Sequence, residues 1–399
     1  MDNTRIITYI KDGVLADALY EDGRMMELSL ISKEQESILG NIYIGKVKNI
    51  VKNIQAAFVE IEHGMLCYLP LEDARYPVYT KPKKGKELAQ GDELLVQVSR
   101  EAVKTKAPSL TACFGLTGKY LVLTCGNRTV GYSGKLSGVE KTRLKAWTAL
   151  HELPEDAGMI VRTNAADVPE EELDRELGRM LEQYQYLKTQ AVHRTVYSCV
   201  YRSRPSYLNS VLGSKSSSLK EILTDDMEIY AELKKFLEEE MPGDGQKLRL
   251  YEDRQLPLKA LYRMEKNLDN ALSERVWLKS GAYLVIEPTE ALTVIDVNTG
   301  KCIAGKDKQA AIRKINREAA LEISRQMRLR NLSGMILADF VDMTESGADE
   351  ELLEFMREQL KKDPQKSAAV DMTALGLMEM TRKKQKKTLK EQAKECGIL

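Results

Sequence analysis

The sequence predicts a multidomain α+β protein, and three observations carry that reading. The chain has 399 residues, more than one hydrophobic core usually organises. Strand-dense and helix-dense stretches follow one another along it. Near the C-terminal end an apolar strand, a long amphipathic helix and a second apolar strand form a βαβ pattern, whose strands should be parallel with a right-handed crossover. Composition agrees, with 43% hydrophobic and 30% charged residues, enough apolar material for packed cores. Lys+Arg 60 balance Asp+Glu 60, so no overall field draws the chain to a polyanion and any such site is local.

The opening, MDNTRIITYIKDG, has neither the basic nor the apolar region of a secretory signal, and no apolar run approaches the ~18 residues of a membrane span. The expected location is the cytoplasm. Six cysteines (Cys67, Cys113, Cys125, Cys199, Cys302, Cys396) without a Cys-x-x-Cys pair, and three histidines (His63, His151, His193), give no disulfide framework and no zinc finger. The first five cysteines read as buried or half-buried small hydrophobes.

Taken in order, residues 1–34 read as short strands, RIITYI and GVLADALY, with a turn signal at Glu21–Asp22–Gly23. They are too few to close a sheet and need a partner distant in sequence. From Gly40, NIYIGKVKNIV, QAAFVEIE, LCYLPL and ELLVQVSR have the spacing of a small antiparallel barrel. Between about 113 and 208 strands (KYLVLTC, GMIVRT) mix with helices (KTRLKAWTALHEL, EEELDRELGRMLEQYQYLKTQ) in an α+β lobe, with a Gly/Ser-rich turn region at GNRTVGYSGKLSG. RSRPSYLNSVLGSKSSS reads as a loop-rich boundary and MPGDGQ as a turn cluster.

The strands AYLVIEP and ALTVIDVNTG precede the helix KQAAIRKINREAALEISRQMRLRNL, with Ile312, Ile315, Ala319, Ile323 and Met327 on one face, and GMILADFVDM follows. In such a unit chemistry gathers beyond the carboxyl ends of the strands. Asp296 and Asp339 sit there, and Asn298 shares the face of Asp296. A lone Asp at a strand end more often starts a turn or caps a helix. Two ending adjacent buried strands reverse that preference, because unpaired buried carboxylates repel unless a cation holds them. The hard-oxygen set suits Mg²⁺ or Mn²⁺, and Asp342 reads as a supporting or loop-capping residue. On the barrel, Phe58 and Tyr68 stand among Lys46, Lys48 and Lys52, a pattern that stacks and neutralises single-stranded nucleic acid; a place in the core is the plain alternative.

NIYIGKVKNI…QAAFVEIEHGMLCYLPLEDA resembles the S1-like RNA-binding domain of the ribonuclease E/G family, and TEALTVIDVNTG and RQMRLRNLSGMILADFVDMT resemble that family's catalytic core. The likeness runs from the opening strands to ALGLMEMTRKK, and the chain length fits the shorter members. The resemblance implies a Mg²⁺-dependent endoribonuclease acting on single-stranded RNA, in rRNA processing and mRNA decay. It implies an RNase H-like subdomain (1–34 and 209–271) interrupted by an S1-like OB barrel (35–112) and a 5′-sensor lobe (113–208). A DNase I-like α/β catalytic subdomain with a basic C-terminal tail (272–399) would follow. Asp296 and Asp339 match the metal-binding aspartates and Asn298 the asparagine that supports catalysis. Gly118, Val122, Arg162 and Thr163 match the pocket for a 5′-monophosphate, with Lys366 at the position of a basic residue there. Phe58, Tyr68 and Lys106 match RNA-contacting positions.

One departure counts against zinc. Where the family usually carries a Cys-Pro-x-Cys link joining two protomers, this chain reads KKQKKTLKEQAKECGIL with only Cys396. Two protomers would then supply two thiolates where a structural zinc prefers four ligands, so a homodimer would lack its usual link. The expected partners are single-stranded RNAs, with no membrane. The rival reading is a non-catalytic, ribosome-associated RNA-binding protein in which both aspartates are caps. The basic run from Arg382 to Lys394 suits either reading, or a solvated helical tail.

Overall fold

The computed structural model describes residues 3–33, 37–83, 85, 87–102, 106–300 and 308–399; Cys302 lies outside them. The chain divides into two compact units. One comprises residues 1–35, 217–234 and 245–399, and the other residues 36–216 and 235–244.

The first unit opens with an antiparallel meander, β1 (Asn3–Lys11), β2 (Val14–Glu21) and β3 (Arg24–Ser32). The β2–β3 turn needs two residues at positive φ, which Asp22 (48°) and Gly23 (77°) supply.

The second unit contains the barrel, β4 (Ile42–Val51), β5 (Ala56–Glu60), β6 (Leu66–Pro70), β7 (Glu93–Arg100) and β8 (Ser109–Thr111). It closes through β4–β7 pairing, so none of these five strands is left as a pair of open edges. Its core is Val47, Val59, Cys67, Leu69, Leu94 and Val96. Beside it lies a sheet of β9 (Gly115–Thr117), β10 (Leu121–Cys125), β11 (Val130–Tyr132) and β12 (Ala157–Val161). Helices α1 (Gly138–Ala149) and α2 (Glu170–Thr189) share its core through Leu144, Trp147, Leu173, Leu177 and Tyr184. The α1 start is fixed by a capping box, Ser137 with Glu140. β11 lies inside the segment read as turns.

β13 (Cys199–Tyr201) adds to the barrel edge, and α3 (Ser206–Gly213) follows it. The loop reading of 202–218 is corrected here. Tyr207, Leu208, Val211 and Leu212 are buried at helical spacing, a signal masked by the surrounding serines.

Back in the first unit, β14 (Leu219–Thr224) runs parallel to β1 and is the distant partner the opening strands require. α4 (Met227–Glu240) leads to β15 (Leu248–Leu250), giving the order β15-β14-β1-β2-β3. α5 (Leu258–Leu261) and α6 (Met264–Leu272) cover the sheet. A second sheet follows, with β16 (Arg275–Trp277), β17 (Tyr283–Pro288), β18 (Leu292–Asn298), α7 (Lys308–Leu329), β19 (Gly334–Asp339), α8 (Ala348–Leu360), β20 (Ser367–Met372) and β21 (Leu377–Arg382). Its order is β16-β17-β18-β19-β21-β20. β18 and β19 are parallel around α7, whose Ile315, Ala319, Ile323 and Met327 are buried against the sheet.

The reading of the basic run as a solvated helical tail is also corrected. α9 (Leu389–Glu395) docks on the first sheet with Leu389 and Ala393 fully buried, and Arg382 is buried against Asp363 at 2.7 Å.

Candidate active site

Asp296 of β18 and Asp339 of β19 are direct partners across the parallel pair. Alternation sends Ile295, Val297, Ile336 and Ala338 into the core and both carboxylates to the other face. The expectation of two buried carboxylates fails, because α7 and α8 pack on the opposite face and leave Asp296 and Asp339 exposed. Asn298 Nδ2 donates to Asp296 Oδ2. Partial burial, then the charges of Asp296 and Asp342, push the Asp339 carboxyl above its ordinary value.

The turn carrying Asp342 is fixed by Asn316 of α7, which is fully buried. Its Nδ2 donates to the Val341 carbonyl at 2.7 Å and its Oδ1 accepts from the Val341 N–H at 3.1 Å. In the sequence Asn316 passes for one more polar residue between apolar helical positions. Gly300, at φ +56°, ends the turn after Asn298, where a Cβ would come within 3.1 Å of the Gly281 carbonyl.

On the barrel, Phe58 and Tyr68 are cross-strand partners with ring centroids 6.2 Å apart, edge to face. Both are half-buried, whereas their strand neighbours Ala57, Val59, Cys67 and Leu69 are fully buried. The pair therefore lies on the outer face, which removes the core alternative. Lys106 is exposed three residues before Ser109, which pairs with Tyr68. Of the lysines nearby, Lys46 faces Glu93 at 3.5 Å and Lys48 faces Glu60 at 2.6 Å, while Lys52 is exposed in a short 3₁₀ turn.

In the lobe, Gly118 and Arg162 come together, Arg162 Nη1 donating to the Gly118 carbonyl. Val122 of β10 faces Ile160 across the sheet. Thr163 and Ser133 share a hydroxyl hydrogen bond of 2.8 Å. Glu176, buried in α2, accepts the backbone N–H groups of Lys119, Tyr120 and Leu121 at 2.7–2.8 Å. A side chain at Gly118 would collide with this carboxylate. Burial pushes the Arg162 guanidinium pKa down and Glu176 opposes that shift. Lys366 belongs to the other unit, exposed just before β20.

Comparison with known proteins places the chain as a whole. A model of the ribonuclease E/G family matches residues 115–385. Ribonuclease G of Haemophilus influenzae is 32% identical over 401 residues, covering 98% of this chain and 81% of that protein. The chain belongs to the ribonuclease E/G family. Ribonuclease G of Escherichia coli K12 is 32% identical, covering 93% of this chain and 78% of that protein. Ribonuclease E of the same strain is 31% identical over 94% of this chain. The chain spans 41% of the Haemophilus influenzae ribonuclease E and 36% of the Escherichia coli one.

Within the ribonuclease E/G family the closed barrel β4–β8 fits an S1-like domain. At the Cys-Pro-x-Cys departure, Cys396 is half-buried against the core of the first sheet, and burial, then Glu395, push its thiol pKa up. Cys67 and Cys125 are buried, and Cys113 and Cys199 half-buried. Among the described residues no three His, Cys, Asp or Glu side chains gather as a metal cage. None of the described helices is long and apolar enough to cross a membrane.

Proposed function

We propose that this chain is a Mg²⁺-dependent endoribonuclease that cuts single-stranded RNA, such as rRNA precursors and mRNA, in the cytoplasm. The observation that carries the reading is the in-register pair Asp296/Asp339 at the carboxyl ends of parallel strands, in a member of the ribonuclease E/G family. The donor set fits the ion. Mg²⁺ keeps several waters and takes one or two carboxylates, and two exposed carboxylates side by side leave room for them. Asp296 and Asp339 would hold it. When bound, the ion supplies a Lewis acid for a non-bridging phosphate oxygen and a water of lowered pKa. Asn298 holds Asp296 in its rotamer through the Nδ2 bond, and Asn316 fixes the turn after Asp339. Water as nucleophile leaves a 5′-phosphate and a 3′-hydroxyl.

The same reading assigns Phe58, Tyr68 and Lys106 to RNA contacts and Gly118, Val122, Arg162 and Thr163 to a 5′-monophosphate. It reads the first sheet as an RNase H-like subdomain and the second as a DNase I-like catalytic subdomain. The test is cleavage of a single-stranded oligoribonucleotide with Mg²⁺ or EDTA, by the unaltered chain and by Asp296→Asn and Asp339→Asn. Cleavage should require the metal and fall by orders of magnitude in both variants, while RNA binding persists. Binding without metal-dependent cleavage would favour the ribosome-associated RNA-binding alternative.

A further inference from the structure

The open face that carries Asp296 also carries an aromatic cluster that the candidate chemistry leaves unused. Trp277 of β16 pairs with Tyr283 of β17, which in turn pairs with Asn298 of β18. The next row on the same face is Arg275, Val285, Asp296 and Asp339. With strands about 4.8 Å apart, Tyr283 stands about 5 Å from Asn298 and Trp277 about 10 Å. The two rings lie 5.1 Å apart at 54°. The Arg275 guanidinium sits 4.6 Å from the Tyr283 centroid and 5.9 Å from that of Trp277. Among the described residues no carboxylate pairs with Arg275. Trp277 is 64% exposed, although the core of this sheet lies on the other side.

The geometry points to Trp277, backed by Tyr283 and Arg275, as a stacking platform for one nucleobase of a single-stranded RNA whose scissile phosphate lies at Asp296 and Asp339. This rests on the endoribonuclease reading for its position, and the chemistry of the cluster supplies the occupant. An exposed indole offers a flat apolar face that any base can cover. Tyr283 restricts its rotation. Arg275 adds a positive charge beside two carboxylates that would otherwise repel the phosphate backbone. The platform would set the register of the strand, so that the phosphate a fixed number of nucleotides away meets the carboxylates.

The chain contains two tryptophans, and the other, Trp147, is 1% exposed, so Trp277 is the one that a bound base can contact. In EDTA, where RNA stays intact, a single-stranded oligoribonucleotide should quench tryptophan emission saturably, and Trp277→Phe should remove the quench without altering thermal unfolding. With Mg²⁺, oligonucleotides carrying one abasic ribose at successive positions near the cleavage site should show one position where KM rises about tenfold. That penalty should vanish in Trp277→Ala, whose KM on the unmodified oligonucleotide should itself rise about tenfold. No quench at RNA concentrations that saturate binding by anisotropy, or equal abasic penalties in both proteins, would overturn the platform. Asp296→Asn separates the two ideas. Full cleavage in that variant with the quench intact sinks the active-site reading and keeps the platform as a base-binding site. Lost cleavage with no quench in either protein does the reverse.

Discussion

A shift of one residue between β18 and β19 would set Asp296 opposite a core residue of β19, so the alternation of Ile295, Val297, Ile336 and Ala338 enforces the pairing of the two aspartates. The parallel strand pair was legible, because an amphipathic helix between two apolar strands leaves little other choice. The exposure of the two aspartates was not, since the mostly apolar approach to each hides which face a helix covers. Phe58 and Tyr68 were open between core and surface in the sequence, and only the burial of their neighbours and the register show the rings outside and touching. Each ring stacked on a base is worth about 1–3 kcal/mol, so Phe58→Ala or Tyr68→Ala should weaken single-stranded RNA binding by roughly that amount. Because both rings stand outside the barrel core, the midpoint of urea unfolding should move little. A large stability loss with unchanged affinity per folded molecule would refute the assignment. Trp277 and Tyr283 escaped notice in the sequence because a five-residue turn separates them and only cross-strand pairing joins them.

At the scale of elements, the turn between β9 and β10 is tied to α2 by one carboxylate. Glu176 satisfies three backbone N–H groups that would otherwise be orphaned in the Gly118–Leu121 turn. The sequence offers Glu176 as one of many glutamates in an exposed-looking helix, and a buried acid that takes main-chain donors has no sequence signature. It also bears on the 5′-end reading, since Arg162 feels Glu176 and donates to the Gly118 carbonyl while Thr163 bonds Ser133. A guanidinium fork and a hydroxyl suit a terminal phosphate. Arg162→Ala should therefore erase the preference for 5′-monophosphorylated over 5′-hydroxyl RNA and leave cleavage of the hydroxyl form almost unchanged. Loss of its charged hydrogen bond should cost about 1.5–3 kcal/mol of stability, which urea titration reads separately. Kinetics on both substrates discriminate: an unaltered preference refutes the sensor, and equal loss on both marks Arg162 as a strut of the turn.

For the whole molecule, the chain leaves the first unit after β3, builds the second, and returns to pair β14 with β1. The need for that return was readable in opening strands too few to close a sheet. The second return, of α9 to β3, was not, because its lysines read as a solvated face and only two apolar residues point inward. The anchor lies in the RLRNL stretch ending α7. Asn331, at φ +49°, donates through Nδ2 to the carbonyls of Lys386 and Lys387, at 3.1 and 2.9 Å, and accepts from Arg382 Nη1 at 2.7 Å. The Leu389 N–H then donates to the Arg330 carbonyl at 2.9 Å. A Thr388/Glu391 capping box starts the helix, and Gln392 Oε1 accepts from the Leu30 N–H at 2.8 Å. The segment is thus a structural closure of the first sheet whose outer face happens to be basic. Truncation after Lys387 strips Leu389 and Ala393 from the core and should cost about 3–5 kcal/mol, the range for removing a large buried aliphatic side chain with its surroundings. Lys383→Ala with Lys384→Ala, both exposed, should change stability by no more than about 0.5 kcal/mol. Urea midpoints of the two proteins decide between a docked helix and a solvated tail: equal midpoints would mean that α9 contributes nothing to the fold, and a loss confined to the truncation places the last helix in the core of the first sheet.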